Sequence, residues 1–334
     1  MFKNNDYIIY LMILITGCTG FIGSQLLKNL NNDKVVCVAN KDHFSNNIID
    51  SAAEYVFVDL TDREKVRDLL RKVKPDLVIN LASKTPVRLS YEDTSFMNNA
   101  IIAYNIAIAE APLIHASTAE VYPYTPYPHY YKEEEVYRTP TSPYAVSKIA
   151  SEMLLAGRKE KTIILRPINT IGRSISRLPE EARGYFFEKT VLAMLSGARE
   201  IHYDGHPLSS RQWMYWEDHM NAYLHVIKNL DKMEGVYNIS VHYSVYNHIL
   251  TLSETVSIVA KELGWEGKIS WMENPRPIEP NYLLLDSTKI YKTGFNVENP
   301  IIAIHKAIKY LKEEFEKLSK KEIQALEKAI KVSW

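Results

Sequence analysis

The chain has 334 residues, 40 basic side chains against 40 acidic ones, and 46% hydrophobic residues, enough apolar material for one large globular unit or two smaller ones. A formal net charge of zero excludes broad electrostatic capture of nucleic acid or an anionic membrane and points to a small-molecule partner. Cys18 and Cys37 are too few for a disulfide framework and form no Cys-x-x-Cys pair, so the expected compartment is a reducing cytoplasm.

The apolar run from Tyr7 to Ile15 is too short to span a bilayer and passes straight into Thr16-Gly17 with no small-residue cleavage site, which predicts a buried first strand beginning at Met12. Residues 1–11 read as an extension ahead of it. Short apolar runs follow at Met12–Ile15, Val35–Ala39, Tyr55–Val58, Leu77–Leu81, Leu113–His115 and Ile163–Leu165. Runs this free of charge belong to strands buried on both faces, hence to a parallel sheet. Between them lie helical patterns: Thr61-Asp-Arg-Glu64 reads as a capping box opening a helix with Val66, Leu69, Leu70 and Val73 on one face. Strand and helix in alternation predict a doubly wound α/β sheet over residues 12–170.

Pro123-Tyr-Thr-Pro-Tyr-Pro-His-Tyr-Tyr131 reads as an ordered surface loop. After about residue 170 the rhythm loosens, with more aromatic and proline residues, as a smaller substrate-binding region over 171–300, returning in part to the sheet, would give. Residues 301–334 read as a helical tail, split by the second capping pattern Ser319-Lys-Lys-Glu322 and packed on the parent domain through Leu311, Phe315, Leu318 and Leu326.

The first strand feeds directly into Thr16-Gly17-Cys-Thr-Gly20-Phe-Ile-Gly23, after which Leu26, Leu27 and Leu30 continue at helical spacing. Glycines at such a turn let the backbone approach a pyrophosphate, and the helix N-terminus offers it N–H groups and partial positive charge. The candidate cofactor residues here are Gly17, Thr19, Gly20, Phe21, Ile22 and Gly23. A carboxylate at the end of the second strand would bind the ribose 2′-hydroxyl, but Asn40-Lys41 stands there; Lys41 suits a 2′-phosphate, which leaves NAD and NADP open.

The Gly-x-x-Gly-x-x-Gly spacing resembles the short-chain dehydrogenase/reductase superfamily in its extended branch, the sugar-nucleotide epimerases and dehydratases, and further matches run along most of the chain. The resemblance implies a Rossmann-type sheet and a tightly held NAD or NADP. It also assigns Asp59-Leu60 to the adenine, Leu81-Ala-Ser83 after Asn80 to the nicotinamide ribose, and Asn99 to a structural role. Ser117-Thr-Ala-Glu-Val-Tyr122 and Tyr144-Ala-Val-Ser-Lys148 match its catalytic segments. Tyr144 and Lys148 are four apart, on one helix face, where an ammonium would favour a phenolate able to take a proton from a sugar hydroxyl. Thr118 would hydrogen-bond the same hydroxyl.

In the family's 4,6-dehydratases an Asp and a Glu follow the threonine as acid and base; Thr118-Ala119-Glu120 lacks the acid and keeps the glutamate. Ala119 resembles the 4-epimerases. The expected activity is therefore a nucleoside-diphosphate-sugar 4-epimerase working through a transient 4-keto sugar. Its alternatives are a dehydratase or decarboxylase using Glu120, and an NADPH-dependent 4-keto-sugar reductase suggested by Asn40-Lys41 and by Tyr130-Tyr-Lys-Glu-Glu134. By the same resemblance Asn169 contacts substrate, Arg211 and Arg276 bind the diphosphate, and the chain pairs as a homodimer through the helix bearing Tyr144 and the one before it. His202 and His206 lack a carboxylate or thiolate partner at ligand spacing, so no metal is expected.

Overall fold

The computed structural model describes residues 2–4, 7–9, 11–30, 34–39, 53–135, 140–175, 185–246, 248–272 and 281–332. Seven parallel strands form the main sheet, numbered here in chain order: β1 Met12–Thr16, β2 Lys34–Ala39, β3 Ala53–Phe57, β4 Leu77–Asn80, β5 Leu113–Ala116, β6 Thr162–Pro167 and β7 Gly235–Ile239. They lie side by side as β7-β6-β5-β4-β1-β2-β3. The chain thus builds outward from β1 in one direction and then crosses to its other side at β4, leaving a crevice beyond the C-terminal ends of β1 and β4 where the loops diverge.

Successive β1 residues serve opposite layers. Ile13 and Ile15 pack with Leu26 and Leu27 of helix α1 (Phe21–Asn29), with Leu30 just after it, and with Tyr223, Val226 and Ile227 of α6 (Trp216–Lys228). Leu14 faces Val66, Leu69 and Leu70 of α2 (Arg63–Val73) and Ala103 and Ile106 of α3 (Asn98–Ile106). Both faces are covered, and this is why the strands read as unbroken apolar runs. A separate core joins Phe187, Val191 and Leu192 of α5 (Phe186–Leu195) to Trp213, Tyr215, Val256 and Val259. Ile304, Ile308 and Leu311 of the helix Pro300–Phe315 and Leu326 of the helix Lys320–Val332 complete it. The tail is split at Ser319, whose N–H and hydroxyl both donate to Glu322.

Three details depart from the sequence expectations. The second helix is capped by Asp62, which accepts from Glu64 N and Lys65 N, because the Thr61 hydroxyl is spent on Asp59. The third strand begins at Ala53, ahead of the expected Tyr55. Cys18 and Cys37, read as too few for a framework, are bonded to each other, with Cα atoms 5.7 Å apart, joining the glycine turn to β2. Among the described residues no helix is long and apolar enough to cross a membrane, and no cluster of His, Cys, Asp and Glu could hold a metal ion.

Candidate active site

The glycine turn is built by contacts that exclude a side chain. Gly17 has φ 68°, the left-handed region, and a Cβ there would lie 2.6 Å from Ala82 N and the Leu81 carbonyl carbon. Gly20 N donates to Gly17 O at 2.9 Å, and a Cβ on Gly23 would fall 2.3 Å from that same oxygen. Helix α1 follows with no capping side chain at Gly20 and no acidic residue in its first turn, so its positive end is left to an anion. Thr19 and Phe21 are buried and Ile22 half-buried beside it. This bare, carboxylate-free cradle fits the pyrophosphate of a dinucleotide.

On the adenine side, Asp59 accepts from Thr61 N at 2.9 Å and Thr61 Oγ1 at 2.7 Å, bonds that hold its carboxyl below the usual range. Leu60 is buried, its carbonyl accepting from Asn105. Asn40 and Lys41 lie outside the described residues. Toward the ribose side, the Thr16 hydroxyl donates to Asn80 Oδ1 at 2.6 Å and accepts from Ala82 N at 3.3 Å. Leu81, Ala82 and Ser83 are half-buried. Asn99 accepts from Lys84 N and donates to Ser147 Oγ at 3.0 Å, tying the loop after β4 to α4 (Pro143–Leu155).

Helix α4 is opened by Ser142, which accepts from Ala145 N, and by Pro143 in the first turn. It aims Tyr144 at the turn after β5, where Thr118 caps a short 3₁₀ segment by accepting from Glu120 N at 3.2 Å. The Tyr144 phenol lies by Thr118, within the field of Glu120 and Arg173, its ring edge-on to Phe96. Glu120 accepts from the Tyr124 hydroxyl at 2.5 Å, so the Tyr/Pro-rich loop reaches into the site.

Here the expected proton balance is corrected. Lys148 does share the helix face, but its Nζ donates to Ala116 O at 2.8 Å. Burial pushes the Tyr144 phenol up instead of down, and burial also pulls Lys148 down to about 7, opposed by Glu152. Spacing alone specifies a shared face; it does not specify desolvation, which disfavours both charged forms.

On the substrate side, Asn169 lies in a strand paired with Trp213–Tyr215, its Nδ2 donating to Gln212 O at 3.5 Å. Gln212 is the neighbour of Arg211, which is buried, with Nη1 on Ser210 O at 3.0 Å. Arg276 lies outside the described residues. The structure therefore gathers Thr118, Glu120 and Tyr144, with Lys148 behind them. It adds three groups that the sequence reading passed over: Arg173, which feels Tyr144, and the half-buried ion pair Glu152 and Arg166. Of these only Glu152 stands at helical spacing from a predicted residue, one turn beyond Lys148, and that spacing alone does not separate it from a surface carboxylate.

The model of the NAD dependent epimerase/dehydratase family matches residues 13–240. The chain is 26% identical over 332 residues to dTDP-D-glucose 4,6-dehydratase of Homo sapiens, covering 91% of this chain and 90% of that protein. It is 26% identical over 322 residues to dTDP-glucose 4,6-dehydratase 1 of Escherichia coli (strain K12), with 83% and 86% covered. Among solved structures it resembles UDP-glucose 4-epimerase of Thermus thermophilus in complex with NAD, with TM-score 0.74, 23% identity and 89% and 99% of the two chains covered. It also resembles UDP-glucuronic acid 4-epimerase of Bacillus cereus in complex with UDP-glucuronic acid and NAD, with TM-score 0.75, 20% identity and 90% and 99% covered. These structural likenesses establish the fold.

Proposed function

We propose, for a chain that belongs to the NAD dependent epimerase/dehydratase family, that its reaction is the inversion of a nucleoside-diphosphate sugar at C4 through a transient 4-keto sugar. The observation that carries this reading is the composition of the turn facing Tyr144. One base and one hydroxyl, Tyr144 and Thr118, meet there, Ala119 supplies no acid, and the Glu120 carboxylate is engaged by Tyr124. Removing a proton from one hydroxyl and returning it needs no more than this. Expulsion of water needs in addition an acid for the leaving oxygen.

A dinucleotide held here would supply a nicotinamide ring able to take hydrogen with its electron pair from a carbinol carbon and return it. Gly17, Gly20, Gly23 and the start of α1 would hold its pyrophosphate, with Asp59 and Leu60 assigned to its adenine end and Leu81 to Ser83 to its nicotinamide ribose. Tyr144, as its phenolate, takes the proton of the C4 hydroxyl and becomes the phenol, and Thr118 fixes that oxygen by a hydrogen bond. Lys148, protonated, offsets the cost of forming a phenolate in a buried place. Arg211 and Arg276 are assigned to the diphosphate, whose oxygens suit guanidinium groups, and Asn169 to the sugar.

A dehydratase or decarboxylase reading keeps one observation of its own, the presence of Glu120 next to Tyr144. Product analysis separates the two. UDP-, GDP-, dTDP- and CDP-sugars incubated without external reductant are expected to give an isomer of unchanged mass, resolved by sugar chromatography. Loss of water or carbon dioxide would replace the epimerase reading with the second one and make Glu120 a base. Absence of conversion, with reduction of a 4-keto sugar nucleotide by NADPH, would overturn both in favour of a reductase.

The same reading includes a homodimer through α3 and α4. Ile101 and Tyr104 on α3 and Val146, Met153 and Leu154 on α4 are exposed, Met153 by 73%, an apolar face on two adjoining helices that suits a second copy. Ile101→Glu combined with Met153→Glu is expected to halve the mass measured by sedimentation equilibrium. A wild-type chain that sediments as a monomer removes the interface.

A further inference from the structure

Tyr144, Lys148 and Glu152 stand at successive turns of α4, on one face of the helix. Lys148 is 2% exposed, and its Nζ donates to Ala116 O. One turn on, the Glu152 carboxylate is held from two other elements. Arg166 of β6 grips it with Nη2 to Oε2 at 2.6 Å and Nε to Oε1 at 3.0 Å, and the Ser117 hydroxyl donates to Oε1. Ser117 directly precedes Thr118, and its own N–H is fixed on Leu165 O at 2.8 Å. Arg166 is anchored in turn on the Tyr122 hydroxyl at 2.6 Å and Glu133 O at 3.2 Å. One half-buried carboxylate therefore links the helix carrying Tyr144 and Lys148 to the turn carrying Thr118 and to β6.

We propose that Glu152 is a positioning residue of this site: clamped by Arg166 and Ser117, its carboxylate keeps Lys148 protonated and fixes the Thr118 turn against α4. The assignment rests on the reading of Lys148 as the cation that serves Tyr144. The other groups around Lys148 do not supply this charge. His115 of β5 is kept neutral by burial, and Tyr144 is neutral for the same reason. Glu120 faces the phenol, and α3 offers the uncharged Asn99 against Ser147. Burial draws Lys148 down toward neutrality, and of the Glu152–Arg166 pair it is the carboxylate that acts against this. A largely desolvated pair of this kind is weak evidence for stability as such; its place between the ammonium and the Thr118 turn is what gives it a role.

The test reads the ammonium directly. In protein labelled with ¹⁵N-lysine, the Lys148 Nζ resonance, assigned by its loss in Lys148→Met, is titrated in wild type, Glu152→Gln and Glu152→Asp. Glu152→Gln is expected to move the midpoint to lower pH by about one unit, a tenfold loss of proton affinity, and Glu152→Asp to restore much of it. If Glu152→Gln does not fold, the double variant Glu152→Gln/Arg166→Met, which removes both charges, is titrated instead with the same expectation. A midpoint equal to wild type in the folded variant overturns the proposal. The titration needs no substrate: a displaced midpoint in a protein that converts no sugar nucleotide would uphold the link between Glu152 and Lys148 and overturn only the proposed reaction.

Discussion

Tyr144→Phe is expected to lower turnover of the sugar nucleotide by on the order of 10²–10⁴-fold, the range for removal of a general base, while the dinucleotide stays bound. The reason lies in how little else changes. The ring keeps its edge contact with Phe96, the pyrophosphate cradle is formed by other residues, and only the hydroxyl beside Thr118 is lost. The accompanying loss of stability is small, because one hydrogen bond contributes about 0.5–1.5 kcal/mol. Steady-state rates beside the absorbance of retained cofactor check both halves. Turnover within a few fold of wild type would remove Tyr144 from the chemistry, and loss of cofactor would turn it into a binding residue.

Gly23→Ala is the second large effect, and its sign runs against helix propensity. In an exposed helix interior this replacement stabilises by up to about 1 kcal/mol. At Gly23 the new carbon would lie 2.3 Å from Gly17 O and 2.8 Å from Cys18 Cα, both backbone atoms, so the turn and α1 must move apart. A cost of about 1–3 kcal/mol is expected, read as a Tm lower by about 2–4 °C for each kcal/mol, together with loss of retained dinucleotide. Gly157, where a Cβ meets nothing within 4 Å, serves as the control: its replacement by Ala leaves both readings at wild type. An unchanged Tm and full cofactor content in Gly23→Ala would show that the turn is not the cradle described.

The fold was legible wherever burial on both faces forced unbroken apolar runs. Five of the seven strands announce themselves in that way, while β3, at one edge of the sheet with none of its residues fully buried, shows a run that burial did not force. The seventh, Gly-Val-Tyr-Asn-Ile at 235–239, lies at the sheet edge and carries Asn238, whose side chain is committed to Tyr131 O, Asp286 O and the Tyr122 hydroxyl. A polar residue with tertiary partners breaks the run, and nothing local marks it as a strand. Thr61 misled for a related reason: a hydroxyl can cap the helix or bond Asp59, and only the fold decides which.

Within the site, the legible part was the residues set on one element by spacing or on one turn by a motif. Tyr144, Lys148 and the Thr118 turn are of this kind. What depends on three elements at once was not legible. Glu152 at four residues past Lys148 reads as a surface carboxylate until β6 brings Arg166 beside it. The direction of the Tyr144 and Lys148 proton affinities also follows from desolvation, which a linear sequence does not contain.

The position of β7 at the sheet edge bears on how the protein is made. The ribosome delivers β6 well before β7, and the residues between them build the substrate side. Until β7 arrives, the backbone groups of β6 on that side have no strand to pair with, a template for mispairing that native sheets avoid leaving open. The nucleotide-binding sheet thus cannot be finished first and the rest docked afterwards. A nascent chain stalled before residue 235 should bind holdase chaperones where one released after 239 does not, and pieces cut between the two regions should fail to fold alone.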